Sequence, residues 1–446
     1  MPFEIKRSIA LLAAALAAAL LPAAALAGEG GRPNVLHILT DDQTIDSLRY
    51  MKKMNRQLRL QGTRFKSYHT VQPLCCPSRA TFLTGQYPHN HGVLSNLSPY
   101  GYGAMDFSRT IYTAMHEAGY RTGWVGKVMN AKGDEGLQPE PGFDEWLVPV
   151  GVGESGSMFN YVLSDNGERR RYVDEFQSSV LAKRARGFIQ EASDDPFFLT
   201  LALHSPHWTR CRDTRERCGP QPAPQDQGTM EGVSYPFRAD FPRSPAQRRR
   251  TNRYWQYELE SLQSVDRIVG KLVADLRRSG EVDDTLIVFQ SDNGFLHGEH
   301  GIFDKDVPWD RAVRVPLIIR GPGFEEGAVR RDLTANVDVP ATILDAAGVE
   351  PPRPPDGYSL LRRHRRNSLL LERLVAKNTR RSEPWRQIKT AQGWTYWRDL
   401  ESGHRHLFDL RRDPHQTHNL ARAMPRKAKL LDRRMRRMRN CANPCP

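Results

Sequence analysis

Two short apolar runs, Asn34–Leu39 and Thr285–Phe289, each lead into a pair of oxygen-bearing side chains: Asp41-Asp42 after the first, Asp292-Asn293 after the second. A run without polar alternation is buried on both faces, as in a parallel strand covered by helices on both sides. Gly123–Val125, Pro196–Leu203 and Val315–Ile319 read the same way. Between them, Leu262, Val265, Val269, Leu272 and Leu276 recur at spacings of 3, 4, 3 and 4, which predicts a helix from about Tyr254 to Leu276, stopped by Gly280. This alternation predicts an α/β fold built on a large, mainly parallel sheet flanked by helices.

At 446 residues the chain is too long for one ordinary core. The stiff segment Pro351-Pro352-Arg353-Pro354-Pro355 divides an expected catalytic domain, residues 28–355, from a smaller C-terminal α+β subdomain, residues 356–446. In the latter, Gln387–Trp397, the turn Glu401-Ser402-Gly403 and His406–Leu410 predict an antiparallel hairpin. Arg426–Arg439 predicts a helix with Leu431, Met435 and Met438 on one face. Residues 209–250 read as a loop, either a substrate-facing insertion or a surface excursion.

Lys6 and Arg7, the apolar run Ile9–Leu21 and the small-x-small site Ala25-Leu26-Ala27 predict a cleaved signal peptide over residues 1–27. The expected location is secreted or periplasmic, without a stable membrane span. In such a compartment Cys211–Cys218 and Cys441–Cys445 are candidate disulfides, although these four cysteines allow three pairings. The net charge of +14 lies in the tail: residues 361–446 hold 23 Lys+Arg against 7 Asp+Glu, so the rest sums to −2. The Arg426–Arg439 run either attracts a polyanion or is a solvated helical face. No nucleic-acid-binding motif is present, and no nucleic-acid partner is expected.

Functional groups of a parallel sheet gather at the carboxyl ends of its strands. Asp41, Asp42, Asp292 and Asn293 would meet there, and three carboxylates so close require a cation. Hard oxygen donors point to Ca²⁺ or Mg²⁺, whereas each pair taken singly is also a common turn or cap. In Pro73-Leu74-Cys75-Cys76-Pro77-Ser78-Arg79-Ala80-Thr81-Phe82-Leu83-Thr84-Gly85, Pro77 suits a first helical turn. Cys75 then sits at a helix N-terminus, where a thiol is expected to be acidified.

The stretch from Cys75 to Gly85 resembles the signature of the sulfatase family, Cys-x-Pro-Ser-Arg followed by x-x-x-Leu-Thr-Gly. The resemblance extends to Arg32-Pro33-Asn34, Thr40-Asp41-Asp42-Gln43, Ser291-Asp292-Asn293-Gly294, Arg314-Val315-Pro316 and Leu407-Phe408-Asp409-Leu410. Within the family, Cys75-Cys76-Pro77 and Tyr87-Pro88-His89-Asn90-His91 look most like the glucosamine-6-sulfatase and extracellular heparan sulfatase group. The resemblance implies an alkaline-phosphatase-like fold and hydrolysis of sulfate monoesters on a small molecule or glycan. It implies that a separate maturation enzyme converts Cys75 to formylglycine. One hydroxyl of the hydrated aldehyde attacks sulfur, and the second loses a proton so that sulfate is eliminated. Asp41, Asp42, Asp292, Asn293 and the modified Cys75 would bind one Ca²⁺, with Mg²⁺ the alternative. Arg79 would support the diol, while Lys127, His207 and Lys305 would contact sulfate and His207 would protonate the leaving oxygen. Asn130 and His204 are further substrate-binding candidates, and His89 and His91 either line the pocket or tie down a loop. Met129 departs from the family, standing where many members have histidine, and Asp310 stands where glutamate is common. A phosphate or phosphonate monoester hydrolase on the same fold and a non-catalytic polyanion-binding protein are the alternatives.

Overall fold

The computed structural model of the protein describes residues 31–151, 157–191, 195–210, 217–237, 244–375 and 383–445. The expected signal peptide, residues 1–27, lies outside them. Among the described residues no helix is long and apolar enough to cross a membrane.

The expected sheet is present, with ten strands. Five form its parallel middle, in the order Thr285–Ser291, Asn34–Thr40, Phe197–Ala202, Arg121–Gly126 and Glu145–Pro149. Their side chains divide between two cores by alternation. Val35, Leu39, Leu286 and Val288 face one side, and Leu36, Ile38, Ile287 and Phe289 face the other. The second face is covered by the helices Gln177–Glu191 and Pro245–Ser279. The first is covered by Cys75–Thr84, Ile111–Glu117 and Asp338–Ala347.

Three expectations need correction. The segment Val315–Ile319 contributes the strand Leu317–Arg320, which pairs antiparallel with Thr285–Ser291. Apolar runs report burial, not direction. The helix Pro245–Ser279 begins nine residues before Tyr254, inside the expected loop 209–250. Its first turns are arginine-rich and carry no apolar stripe, while Pro245 fits a helical start. Finally, Gln387–Trp397 is not one strand. It folds as Trp385–Thr390 and Trp394–Asp399, joined at Gly393, whose φ of +80° suits glycine. With Ser368–Arg373 and Arg405–Asp409 these make a four-stranded antiparallel sheet. The helix Pro425–Met438 buries Leu431, Met435 and Met438 there, as its pattern predicts. Cys441 and Cys445 are disulfide-bonded. Cys211 and the side chain of Cys218 lie outside the described residues.

The small sheet is tied through partly buried polar groups to the segment that follows the helix Cys75–Thr84. His89 Nδ1 lies 2.5 Å from Glu372 Oε1, and its Nε2 lies 3.0 Å from the Cys441 carbonyl oxygen. His91 meets Thr81 Oγ1 at 3.1 Å. Both histidines therefore fix the packing of a loop. Burial would lower the His89 pKa, but the hydrogen bond and charge of Glu372 outweigh it and hold the imidazolium above its ordinary value of 6.5. Its contribution to stability is complete below pH 6.5 and is lost as pH rises through the folded value. Since Glu372 keeps Arg386 at 3.2 Å, His89→Gln should cost about 1–3 kcal/mol at pH 6 and less at pH 8. Urea denaturation at the two pH values checks this, and a loss independent of pH would contradict it.

Candidate active site

The Asn34 and Thr285 strands stay in register to their ends, where Thr40 lies opposite Ser291. The next two residues of each are thereby side by side. Asp292 N donates to the Thr40 carbonyl at 3.1 Å, and Asp42 N donates to Asp292 Oδ1 at 3.3 Å. Asn293 Nδ2 donates to Asp42 Oδ1 at 2.5 Å. Asp42 has φ +67°, a left-handed conformation that aspartate tolerates better than most residues and that the surrounding bonds must hold in place.

The helix Cys75–Thr84 sets Cys75 at its first position, above this corner. Ser78 Oγ donates to the Asp292 carbonyl at 2.5 Å. Arg79 Nε donates to Asp292 Oδ2 at 2.8 Å, and another of its nitrogens lies 3.4 Å from Asp41 Oδ2. Lys127 follows Gly126, where any Cβ would stand 2.0 Å from the Ala202 carbonyl oxygen, so only glycine lets the chain pass this close. Lys127 Nζ donates to Asp41 Oδ2 at 2.5 Å and lies 3.4 Å from Cys75 Sγ. Lys305 Nζ bonds Asp42 Oδ1 and lies 3.0 Å from the same sulfur. Asp41 Oδ1 is 3.6 Å from it.

All of these groups are buried. Burial would raise the Asp41 pKa, but Lys127 foremost, with Lys305 and Arg79, holds its carboxyl well below the usual range. Burial dominates at the other two carboxylates. It pushes Asp42 up, reinforced by the charge of Asp41 against the pull of Lys305. It pushes Asp292 up to about 6, again with Asp41 adding and Arg79 opposing. The expectation of an acidified thiol is overturned. Burial and the neighbouring Asp41 raise the Cys75 pKa, and Lys127 and Lys305 offset only part of this. Helix-terminal stabilisation is small beside the desolvation of a thiolate. Cys75 and Cys76 are both free thiols.

His207 Nε2 lies 3.6 Å from Asp42 Oδ2, and His204 Nδ1 lies 3.9 Å from Asp41 Oδ2. The other nitrogens, His207 Nδ1 and His204 Nε2, meet the Trp208 carbonyl at 2.7 and 3.4 Å. A carbonyl only accepts, so each of those nitrogens carries the proton. Burial foremost keeps both rings well below their ordinary pKa. Both therefore present a bare nitrogen to the site, and His207 must gain a proton before it can donate one.

The ligand atoms of Asp41, Asp42, Cys75 and His207 lie within 4.8 Å of one another. Asp42 Oδ2 and Asn293 Oδ1 are buried and accept no hydrogen bond. Unpartnered buried oxygens beside three carboxylates are donors of the kind that could hold a hard divalent cation.

Residues 33–349 match the sulfatase family, and residues 298–442 match N-sulphoglucosamine sulphohydrolase, C-terminal. The chain belongs to the sulfatase family. This sulfatase is 33% identical over 361 residues to the extracellular sulfatase SULF-1 homolog of Drosophila melanogaster, covering 74% of the chain and 31% of that relative. It is 32% identical over 372 residues to N-acetylglucosamine-6-sulfatase of Homo sapiens, covering 74% of the chain and 64% of that protein. The chain thus spans less than two thirds of either relative. The fold matches BT4656 in complex with its substrate D-glucosamine-2-N,6-O-disulfate at a TM-score of 0.78 and 22% identity, covering 91% of this chain and 97% of that one. It also matches the phosphonate monoester hydrolase of Agrobacterium radiobacter at 0.68 and 20% identity, covering 91% and 95%.

Asp41, Asp42, Cys75, Arg79, Lys127, His204, His207, Asp292, Asn293 and Lys305 thus converge. Asn130 stands one step away, its N–H donating to Cys76 Sγ at 3.2 Å, and Met129 is buried in the core. His297 bonds Glu258 at 2.6 Å, and His300 stacks on Trp309. Asp310 pairs with Lys389 at 2.7 Å and Arg314 at 2.7 Å. Sequence reasoning missed the Trp208 carbonyl, which sets both tautomers, and Ser78, which lay inside the signature. It also missed a buried layer beneath the Cys75 helix, in which Gln290 donates to His37 Nε2 at 2.8 Å and His37 meets Thr200 at 2.9 Å. Because Arg79 is the buried partner of two carboxylates, Arg79→Gln should destabilise the fold by about 3–5 kcal/mol in urea denaturation, and a loss below about 1 would contradict this pairing.

Proposed function

We propose that the protein hydrolyses sulfate monoesters with a formylglycine made from Cys75 and a bound divalent cation, Ca²⁺ or Mg²⁺. The observation that carries this reading is the convergence on one sulfur atom of Lys305 at 3.0 Å, Lys127 at 3.4 Å and Asp41 at 3.6 Å. The hydrated aldehyde would supply one hydroxyl to bond sulfur and a second whose deprotonation releases sulfate. The cation, held by Asp41, Asp42, Asp292 and Asn293, would act as a Lewis acid on a sulfate oxygen. Lys127 and Lys305 would balance the charge that develops on the transferring group. Arg79 would hold Asp41 and Asp292 in place. An anionic ester beside His207 favours its protonated form, which would then serve the leaving oxygen.

Sulfated glucosamine units of a glycan are the substrate class we infer, supported by the relative named N-acetylglucosamine-6-sulfatase and by the fold shared with a glucosamine disulfate complex. Residues 28–355 would form the catalytic domain and residues 356–446 the C-terminal subdomain. The relative named as extracellular and the signal-like sequence of residues 1–27 support export to the periplasm or medium, and a separate enzyme would carry out the maturation. A phosphate or phosphonate monoester hydrolase shares the fold, so matched aryl sulfate and aryl phosphate separate the two readings, and a clear phosphate preference would overturn ours.

Mass spectrometry of the Cys75 peptide from the native host should show a loss of about 18 Da, the thiol having become an aldehyde. Cys75→Ser and Lys127→Met should each lower kcat by at least about 10²–10³ while the protein stays folded by circular dichroism. An unmodified thiol in active protein, or wild-type turnover in either variant, would refute the assignment.

A further inference from the structure

A cavity of about 370 Å³ is lined by residues one or two positions from His207, Asn293 and Lys305, and hydrolysis at Cys75 does not call on it. Its position follows from the chain. Trp208 lines it and directly follows His207, with their ring centroids 5.0 Å apart. Phe295 and Phe303 also line it, two residues after Asn293 and two before Lys305. Two residues of chain reach at most about 7 Å. Three site residues thus come from segments that also form the cavity wall.

Another part of the wall is one face of the helix Pro245–Ser279, whose first turns fall in the expected loop 209–250. Arg249, Arg250 and Arg253 project there at spacings of three and four residues, with Tyr254. The Arg250 guanidinium stands 4.4 Å over the ring of Phe303. Among the described residues none of these three guanidinium groups is paired with a carboxylate. Elsewhere on the same helix Arg267 is ion-paired with Asp226, and Arg278 with Asp275. Among the described residues the cavity therefore combines three arginines that have no carboxylate partner with an aromatic lining.

This chemistry is specific. Guanidinium groups bind sulfate and carboxylate through paired hydrogen bonds. Aromatic faces receive the apolar face of a sugar ring and exclude water from the ion pairs. The volume is that of a small-molecule site. The ester's own sulfate is already met by Lys127, Lys305 and the cation site, so the arginines suit a second anionic group.

We propose that Arg249, Arg250 and Arg253 form an anion subsite that selects glycans bearing a second sulfate or a carboxylate beside the ester to be cleaved. The proposal rests on the sulfate-ester reading above. The substrate would bind with its scissile sulfate over Cys75 and its second anion among the arginines, so the subsite acts on recognition and leaves the chemistry at sulfur unchanged.

The test compares kcat/KM on three 6-sulfated glucosamines: N-acetylated, N-sulfated, and N-acetylated but linked to a uronic acid. The matured wild-type enzyme should favour one or both dianionic substrates by about tenfold or more, through KM, and lose that preference in 0.5 M NaCl. The dianionic substrate preferred identifies the second group as sulfate or carboxylate. In the triple variant Arg249→Ala, Arg250→Ala, Arg253→Ala the preference should vanish. The single variant Arg250→Gln, which needs no broad repacking of an exposed helix face, should reduce it. An undiminished preference in the triple variant would overturn the subsite alone. So would its transfer to the tail, seen as loss of preference in Arg433→Gln, Arg434→Gln, Arg437→Gln. Absence of turnover on all three substrates and on an aryl sulfate would instead remove the activity on which the proposal rests.

Discussion

Three carboxylates buried against one another are the costliest feature of this fold, and most of the site exists to compensate them. Asp41, Asp42 and Asp292 meet because two parallel strands end in register and each continues for two more residues. Water, which would ordinarily solvate them, is excluded by the helix Cys75–Thr84. Arg79, Lys127 and Lys305 supply the matching positive charge from three separate segments. The compensation is uneven. Asp41 receives most of it and stays ionised, whereas Asp42 and Asp292 are pushed toward protonation. Two oxygens, Asp42 Oδ2 and Asn293 Oδ1, remain without a donor. A divalent cation is the species that would satisfy both the charge and those lone pairs.

The same burial shapes the reactive position. A thiol at a helix N-terminus is usually expected to ionise readily, but here desolvation and Asp41 outweigh the helix and the two lysines. Unmodified Cys75 is thus a protonated, weak nucleophile. The arrangement of cations around it suits an oxygen nucleophile facing a transferring anionic group. The two histidines are set by one carbonyl. The Trp208 carbonyl accepts a hydrogen bond from each ring, so the outer nitrogens carry the protons and both inner nitrogens face the aspartates bare.

Much of this was legible in the sequence, because the strands that carry the site are buried on both faces and announce themselves as unbroken apolar runs. The acidic pairs after Thr40 and Ser291 were legible for the same reason: their position follows from where the strands end. What failed had local causes. The first turns of the Pro245 helix are solvated and arginine-rich, so the apolar stripe that identifies a helix begins late. The turn at Gly393 splits a run whose aromatic residues suit strand on both sides. The ionisation of Cys75 depends on burial and on Asp41, Lys127 and Lys305, which lie 34, 52 and 230 residues away, and the tautomers of His204 and His207 depend on where the backbone carbonyl of Trp208 points, which no side-chain pattern encodes. Asn130 was legible as a motif position, but its partner is Cys76, 54 residues earlier in the chain.

The account stands on a cation seated among Asp41, Asp42, Asp292 and Asn293. Calorimetric titration of Ca²⁺ into metal-stripped protein tests it directly. The account predicts one ion bound per chain, with affinity lost in Asp42→Asn and Asp292→Asn proteins that remain folded. Absence of binding in the unaltered protein, or equal affinity in both variants, would contradict it.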